Sequence, residues 1–165
     1  MNNFILELPE LKNYYPQAEL MNLWDDNLHI PLGDSPEIQN DPNYCLESKI
    51  IKLDIAKKFN RAIMTKEPEI WLMHKFAEHE FLVHVDPCLG LIIPISPQVY
   101  ELQFIKPHYV HKYRMPAIVN GTIPHHVKDK GIERTWLLIY LFLIQQSDDP
   151  WQDVNNYYNN GLLIK

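Results

Sequence analysis

The sequence predicts an α+β fold, with a small, mostly antiparallel sheet that is hairpin-rich over residues ~48–123 and packed by C-terminal helices. Three observations predict it. Short alternating apolar runs, separated by Pro and Gly, fill the middle of the chain. A nine-residue apolar run follows, Trp136 to Ile144. Asp149-Pro150-Trp151-Gln152 then has the marks of a helix start: a capping Asp, Pro at the first position and Gln at the third.

Each element has its own reason. Pro16 to Trp24 reads as a short helix, with Pro in its first turn and Leu20, Leu23 and Trp24 on one side. Residues 29–42 contain Pro31, Gly33, Pro36 and Pro42 and read as a loop. Ile51, Leu53 and Ile55 alternate like a strand, and Asp54 can cap a helix from Ile55 to Met64. Ile70 to Phe76 and Phe81 to Val85 suit a hairpin around Ala77-Glu78-His79-Glu80. Pairing Phe76 with Phe81 would set His74 opposite Val83 and Met73 opposite His84. Leu89 to Ile95 and Val99 to Ile105 read as two further strands. Asn120-Gly121 suits a type I′ turn between Ala117–Val119 and Thr122-Ile123.

Ile132 to Gln146 is apolar nearly all round and reads as a central buried helix, with Trp136, Leu137, Ile139, Tyr140, Phe142 and Leu143 in the core. In the last helix Trp151, Val154 and Tyr158 share a face, and Gly161 stops it.

Length and composition bound the rest. A chain of 165 residues with 46% apolar content fits one domain, 1–165, with a real core. No stretch reaches the ~20 apolar residues of a membrane span, and residues 1–4 do not open a secretory signal, so a cytoplasmic protein is expected. Cys45 and Cys88 sit in no metal or redox motif and read as buried thiols. The net charge is −6 and only Arg61, Arg114 and Arg134 are arginine, which argues against a large nucleic-acid footprint. Residues 1–43 hold eight acids and one base, Lys12, a net of −7. This acidic segment also carries large apolar groups, so it is expected to pack on the core or to act as an arm.

Motifs for nucleotide binding, hydrolase nucleophiles, zinc helices and calcium loops are absent. His74 to His79 resembles an inverted zinc-helix pattern but has one spacer too many. The eight histidines are the unusual resource. His84 and Asp86 are two apart, so on a strand they point the same way, at a spacing fit for two metal ligands or a His–carboxylate couple. His108 and His111 face one side only if they lie on a helical turn. His125 and His126 follow Pro124, and either could serve as a general base.

Two functions follow. The leading expectation is a non-catalytic protein-interaction or inhibitor protein, immunity-like, that binds another protein through an acidic face built on Tyr14, Tyr15, Trp24, Asp25 and Asp26. It predicts no cofactor and no structural zinc. The alternative is a histidine-dependent, metal-assisted hydrolase or nuclease drawing on His84, Asp86, His108, His111, His125 and His126, with His84 and Asp86 as the weak metal candidates. Convergence of three of these side chains would decide between them.

Overall fold

The structure is a computed structural model that describes residues 2–12, 19, 46–50, 59, 69–75, 82–95, 100–129, 135–142 and 148–164. Nine strands are described: β1 (Ile5–Glu7), β2 (Leu46–Ile50), β3 (Glu69–Lys75), β4 (Leu89–Pro94), β5 (Tyr100–Phe104), β6 (Tyr109–Lys112), β7 (Ala117–Val119), β8 (His125–Asp129) and β9 (Thr135–Phe142). They form a six-stranded sheet, in the order β1-β7-β4-β9-β3-β2, and a three-stranded sheet, β6-β5-β8. All pairs are antiparallel.

One apolar cluster joins the two sheets. Phe4, Ile5, Ile92, Ala117 and Val119 from the large sheet's side meet Leu102 and Phe104 of β5. Phe4 packs on Phe104 at 4.7 Å and stacks on Tyr109 at 5.1 Å between ring centroids. Alternation along β5 sends Leu102 and Phe104 inward, and their register partners share that face. Those partners are His111 and Val127 beside Leu102, and Tyr109 and His125 beside Phe104.

This two-sheet arrangement corrects the α+β expectation. The run read as a central buried helix is β9, paired with β3 from Glu69↔Leu141 to Lys75↔Thr135 and with β4 from Leu89↔Phe142 to Pro94↔Leu137. Trp136, Leu137, Ile139, Tyr140 and Phe142 therefore lie on a strand bonded on both sides, and Leu143 is outside the described residues. The physical reason is that a continuous apolar run has no periodicity of its own. A fully buried strand and a buried helix read alike.

The expected hairpin is also corrected. β3 pairs with β2 and β9, so His74 stands opposite Glu47 and Trp136, not Val83. Residues 82–86 join β8 instead, through a bridge between His84 and His125. Leu46–Ile50 is a strand, slightly ahead of the expected one, and the helix expected from Ile55 to Met64 lies outside the described residues except for Phe59, which bridges to Ile164.

The final helix, α1 (Pro150–Asn159), is where the sequence placed it. The Asp149 side chain accepts a hydrogen bond from Gln152 N at 3.0 Å. The Gln152 side chain turns to Asn156 instead of closing a capping box. Gly161, at φ 67°, ends the helix with bonds from Gly161 N to Tyr158 O and from Leu162 N to Tyr157 O. Among the described residues no helix is long and apolar enough to cross a membrane.

Of the acidic N-terminal segment, residues 2–12 are described. β1 pairs with β7, and Phe4, Ile5, Leu8 and Leu11 are buried. Tyr14, Tyr15, Trp24, Asp25 and Asp26 lie outside the described residues, as does the expected helix from Pro16 to Trp24 apart from Glu19.

Candidate metal centre

Residues 84–86 run beside the start of β8, just after a bend at Val83. His84 and His125 exchange two backbone hydrogen bonds, of 2.9 and 3.0 Å. Asp86 N donates to Gly121 O at 2.8 Å, which ties the segment to the connection between β7 and β8. Pro87 and Pro124 bound this pairing, since neither can donate to a ladder.

Three side chains converge there. The potential ligand atoms of His84, Asp86 and His125 all lie within 4.8 Å of one another. His84 Nε2 is 3.9 Å from Asp86 Oδ1, and His125 Nε2 is 3.6 Å from Asp86 Oδ2. Both separations exceed hydrogen-bond length. Each ring is oriented in the same way: His84 Nδ1 lies 2.8 Å from Leu82 O, and His125 Nδ1 lies 2.8 Å from Ile123 O. A carbonyl only accepts, so each Nδ1 carries the proton and each Nε2 of a neutral ring presents a lone pair. Burial, more than any other influence, lowers the His125 pKa and keeps that ring neutral.

Two imidazole Nε2 atoms and a carboxylate thus face one another. That donor set fits a divalent ion. Two imidazoles and a carboxylate suit a first-row metal, and backbone carbonyls on the far ring nitrogens are the usual outer contacts. Two ligands of a tetrahedral ion at about 2.1 Å stand about 3.4 Å apart, a few tenths of an ångström inside the separations here. His125 is 3% exposed, whereas the His84 and Asp86 side chains are 41% and 42% exposed, so the set is closed toward the core and open toward solvent. Three protein ligands with open positions are the pattern of a catalytic rather than a structural site.

Gly121 supplies the space. A Cβ there would lie 2.8 Å from Asp86 Cβ and from Cys88 O, and 2.9 Å from Asp86 Oδ2. The residue is glycine for close approach, and its φ is not positive, so the expected type I′ turn is corrected.

The other predicted site residues lie elsewhere. His126 alternates to the outer face of β8, with Nε2 3.2 Å from Gln103 Oε1. His108 is exposed in the turn between β5 and β6. His111 is buried on the inner face of β6, packed edge-on to Tyr113 at 5.7 Å, and does not join the triad. Burial, and then the charge of Asp86, push the Tyr113 phenol up.

This convergence overturns the leading expectation of a non-catalytic interaction or inhibitor protein, because it is the observation that separates the two readings. The sequence pointed to His84 with Asp86 by their spacing. It did not bring in His125, 39 positions beyond Asp86, because only the sheet pairing does so. Gly121 and the carbonyls of Leu82 and Ile123 were missed. Pro87 and Pro124, which bound the paired segments, were the only local signal.

No family model and no curated protein matches the chain. Solved structures do resemble it. A cupin-2 domain from Rhodospirillum rubrum superposes over 84% of this chain and 91% of its own, at 7% identity and a TM-score of 0.48. A sugar phosphate isomerase of the cupin superfamily from Silicibacter pomeroyi covers 72% and 73%, at 10% identity and a TM-score of 0.49. Ectoine synthase from P. lautus covers 68% and 78%, at 12% identity and a TM-score of 0.43.

Proposed function

We propose that this chain is a metal-dependent enzyme that binds one divalent first-row ion through His84 Nε2, Asp86 and His125 Nε2 and acts on a small substrate at the open side of that centre. The observation that carries the reading is the facing of three acceptors, with both rings oriented by backbone carbonyls. A divalent ion held there supplies Lewis acidity to a bound oxygen or acidifies a water.

The chain's own residues set the conditions for that chemistry. His125 is held neutral by burial, and its ring cannot turn without breaking the bond to Ile123 O. His84 and Asp86 form the solvent side, where a substrate would enter. The net charge of −6 favours a small molecule over a nucleic acid.

Elemental analysis of protein loaded with Zn(II), Fe(II) or Mn(II) tests the reading. One ion per chain is expected, lost on Asp86→Ala. Equal uptake by wild type and Asp86→Ala would sink it.

A further inference from the structure

We propose that Asn120 is a positioning residue of the metal centre, acting through the connection between β7 and β8. This rests on the metal reading above and extends it to a residue that touches none of the ligands.

Residues 120–124 carry the outer contacts of two of the three ligands. Gly121 O receives Asp86 N at 2.8 Å, and Ile123 O receives His125 Nδ1 at 2.8 Å. The spacing between Asp86 and His125 is therefore set by the shape of this short connection together with the paired backbone bonds of His84 and His125. Asn120 fixes that shape. It is buried, and its hydrogen bonds run both ways. Its backbone N donates to Phe4 O at 2.9 Å, and its Nδ2 donates to Asn3 O at 3.1 Å. Its Oδ1 accepts from Thr122 Oγ1 at 2.7 Å, and its carbonyl accepts from Ile123 N at 3.4 Å.

One side chain thus clamps the connection to the N-terminal residues on one side and folds it on the other. The N-terminal anchor is itself fixed, since Asn2 Oδ1 accepts from Phe4 N and Ile5 N, and Asn2 Nδ2 donates to Tyr109 OH. Without the amide, Gly121 O and Ile123 O lose their common frame. Asp86 and the His125 ring then sample separations that no single ion bridges. Outer contacts of metal ligands typically cost 10–100-fold in metal affinity when removed, and Asn120 holds the connection that carries two of them.

The test uses Co(II), whose visible absorption reports its ligand geometry, with affinity measured against a competing chelator. Asn120→Ala and Asn120→Asp should each bind Co(II) roughly 10–100-fold more weakly than wild type, with an altered spectrum. The control is Asn155→Ala, which removes another buried amide, bonded to Trp151 O at 2.7 Å on α1. It should lower the unfolding temperature yet leave Co(II) affinity within about twofold, since it supports neither ligand. Thr122→Val is the variant that keeps the proposal testable if Asn120 variants do not fold. Thr122 is exposed, and losing its hydroxyl should weaken Co(II) binding several-fold in the same direction. Asn120 variants that unfold earlier but keep wild-type Co(II) affinity and spectrum overturn the proposal, as does unchanged affinity in Thr122→Val. Wild type that takes up no Co(II), or takes it up equally in His125→Ala, instead overturns the metal reading and removes the ground for this one.

Discussion

His125 and His111 occupy matching places and have opposite surroundings. Both lie on the inner face of the small sheet, one on each side of β5, opposite Phe104 and Leu102. His125 donates through Nδ1 to a carbonyl and aims Nε2 at a carboxylate. His111 Nε2 is buried with no hydrogen-bond partner among the described residues, and the ring packs edge-on to Tyr113. Burial lowers the pKa of both. The difference teaches that burial alone does not make a histidine a ligand. What would suit a ring to that role is its orientation, with its lone pair facing other acceptors on a side open to solvent.

The largest effect should come from exchanging the two. His125→Ala should weaken metal binding by more than about 100-fold, beyond what loss of an outer contact costs. His111→Leu should leave it unchanged, because His111 lies outside the triad. Isothermal titration with Zn(II) on both variants measures this. Comparable losses would erase the distinction between the two histidines.

Gly121→Ala should come next. Its Cβ would press on Asp86 Cβ and Cys88 O, and a backbone oxygen cannot yield as a side-chain tip can. Overpacking of this kind costs about 1–3 kcal/mol, and here it pushes a ligand as well. Denaturant unfolding of the apo protein and metal titration should therefore both fall. A stable variant with intact metal binding would show that Asp86 has room to shift.

The same contrast explains what the sequence disclosed. His84 and Asp86 were readable because period two along a strand is a local rule. α1 was readable because Asp149, Pro150 and Gly161 act within one turn of their own positions. β9 was not, because its apolar run has no alternation to separate strand from helix. His125 was named among eight histidines but could not be placed, since its partner segment is set by non-local pairing. Gly121 was misread for a related reason. A glycine needed for space looks the same in sequence as one needed for a turn.

The acid response of the apo protein should sharpen the comparison further. His111 titrates lower folded than unfolded, because burial disfavours its charged form and outweighs the attraction of Glu7. The unfolded chain therefore binds more protons as pH falls below about 6.5. The stability is fully present above that pH and is lost as pH falls through the lowered folded value. His125 adds a slope of the same sign. His111→Leu should flatten the fall in unfolding temperature as pH drops below about 6.5, in apo and metal-loaded protein alike. Bound metal should suppress the contribution of His125 at the upper end of that range, since a ligated Nε2 cannot take a proton there. A slope unchanged by His111→Leu would mean that this ring takes up its proton as readily in the folded chain as in the unfolded one.

The smallest expected effect lies on α1. This helix rests on Trp151 and Val154, both buried, and its start is capped by the Asp149 side chain, which accepts from Gln152 N. Burial, and then the charge of Glu10, push the Tyr158 phenol up. Asp149→Ala removes the cap and should cost about 1 kcal/mol. Pro150 at the first position keeps the helix start preorganised, so the helix shortens rather than unfolds. Sites that share no partner add independently. Asp149→Ala should therefore leave Zn(II) affinity and the His111 acid slope at their wild-type values, and combining it with His111→Leu should give additive shifts in unfolding temperature. A loss of metal affinity in Asp149→Ala would show that α1 and the centre share a support that the distances around Asp86 and His125 do not require.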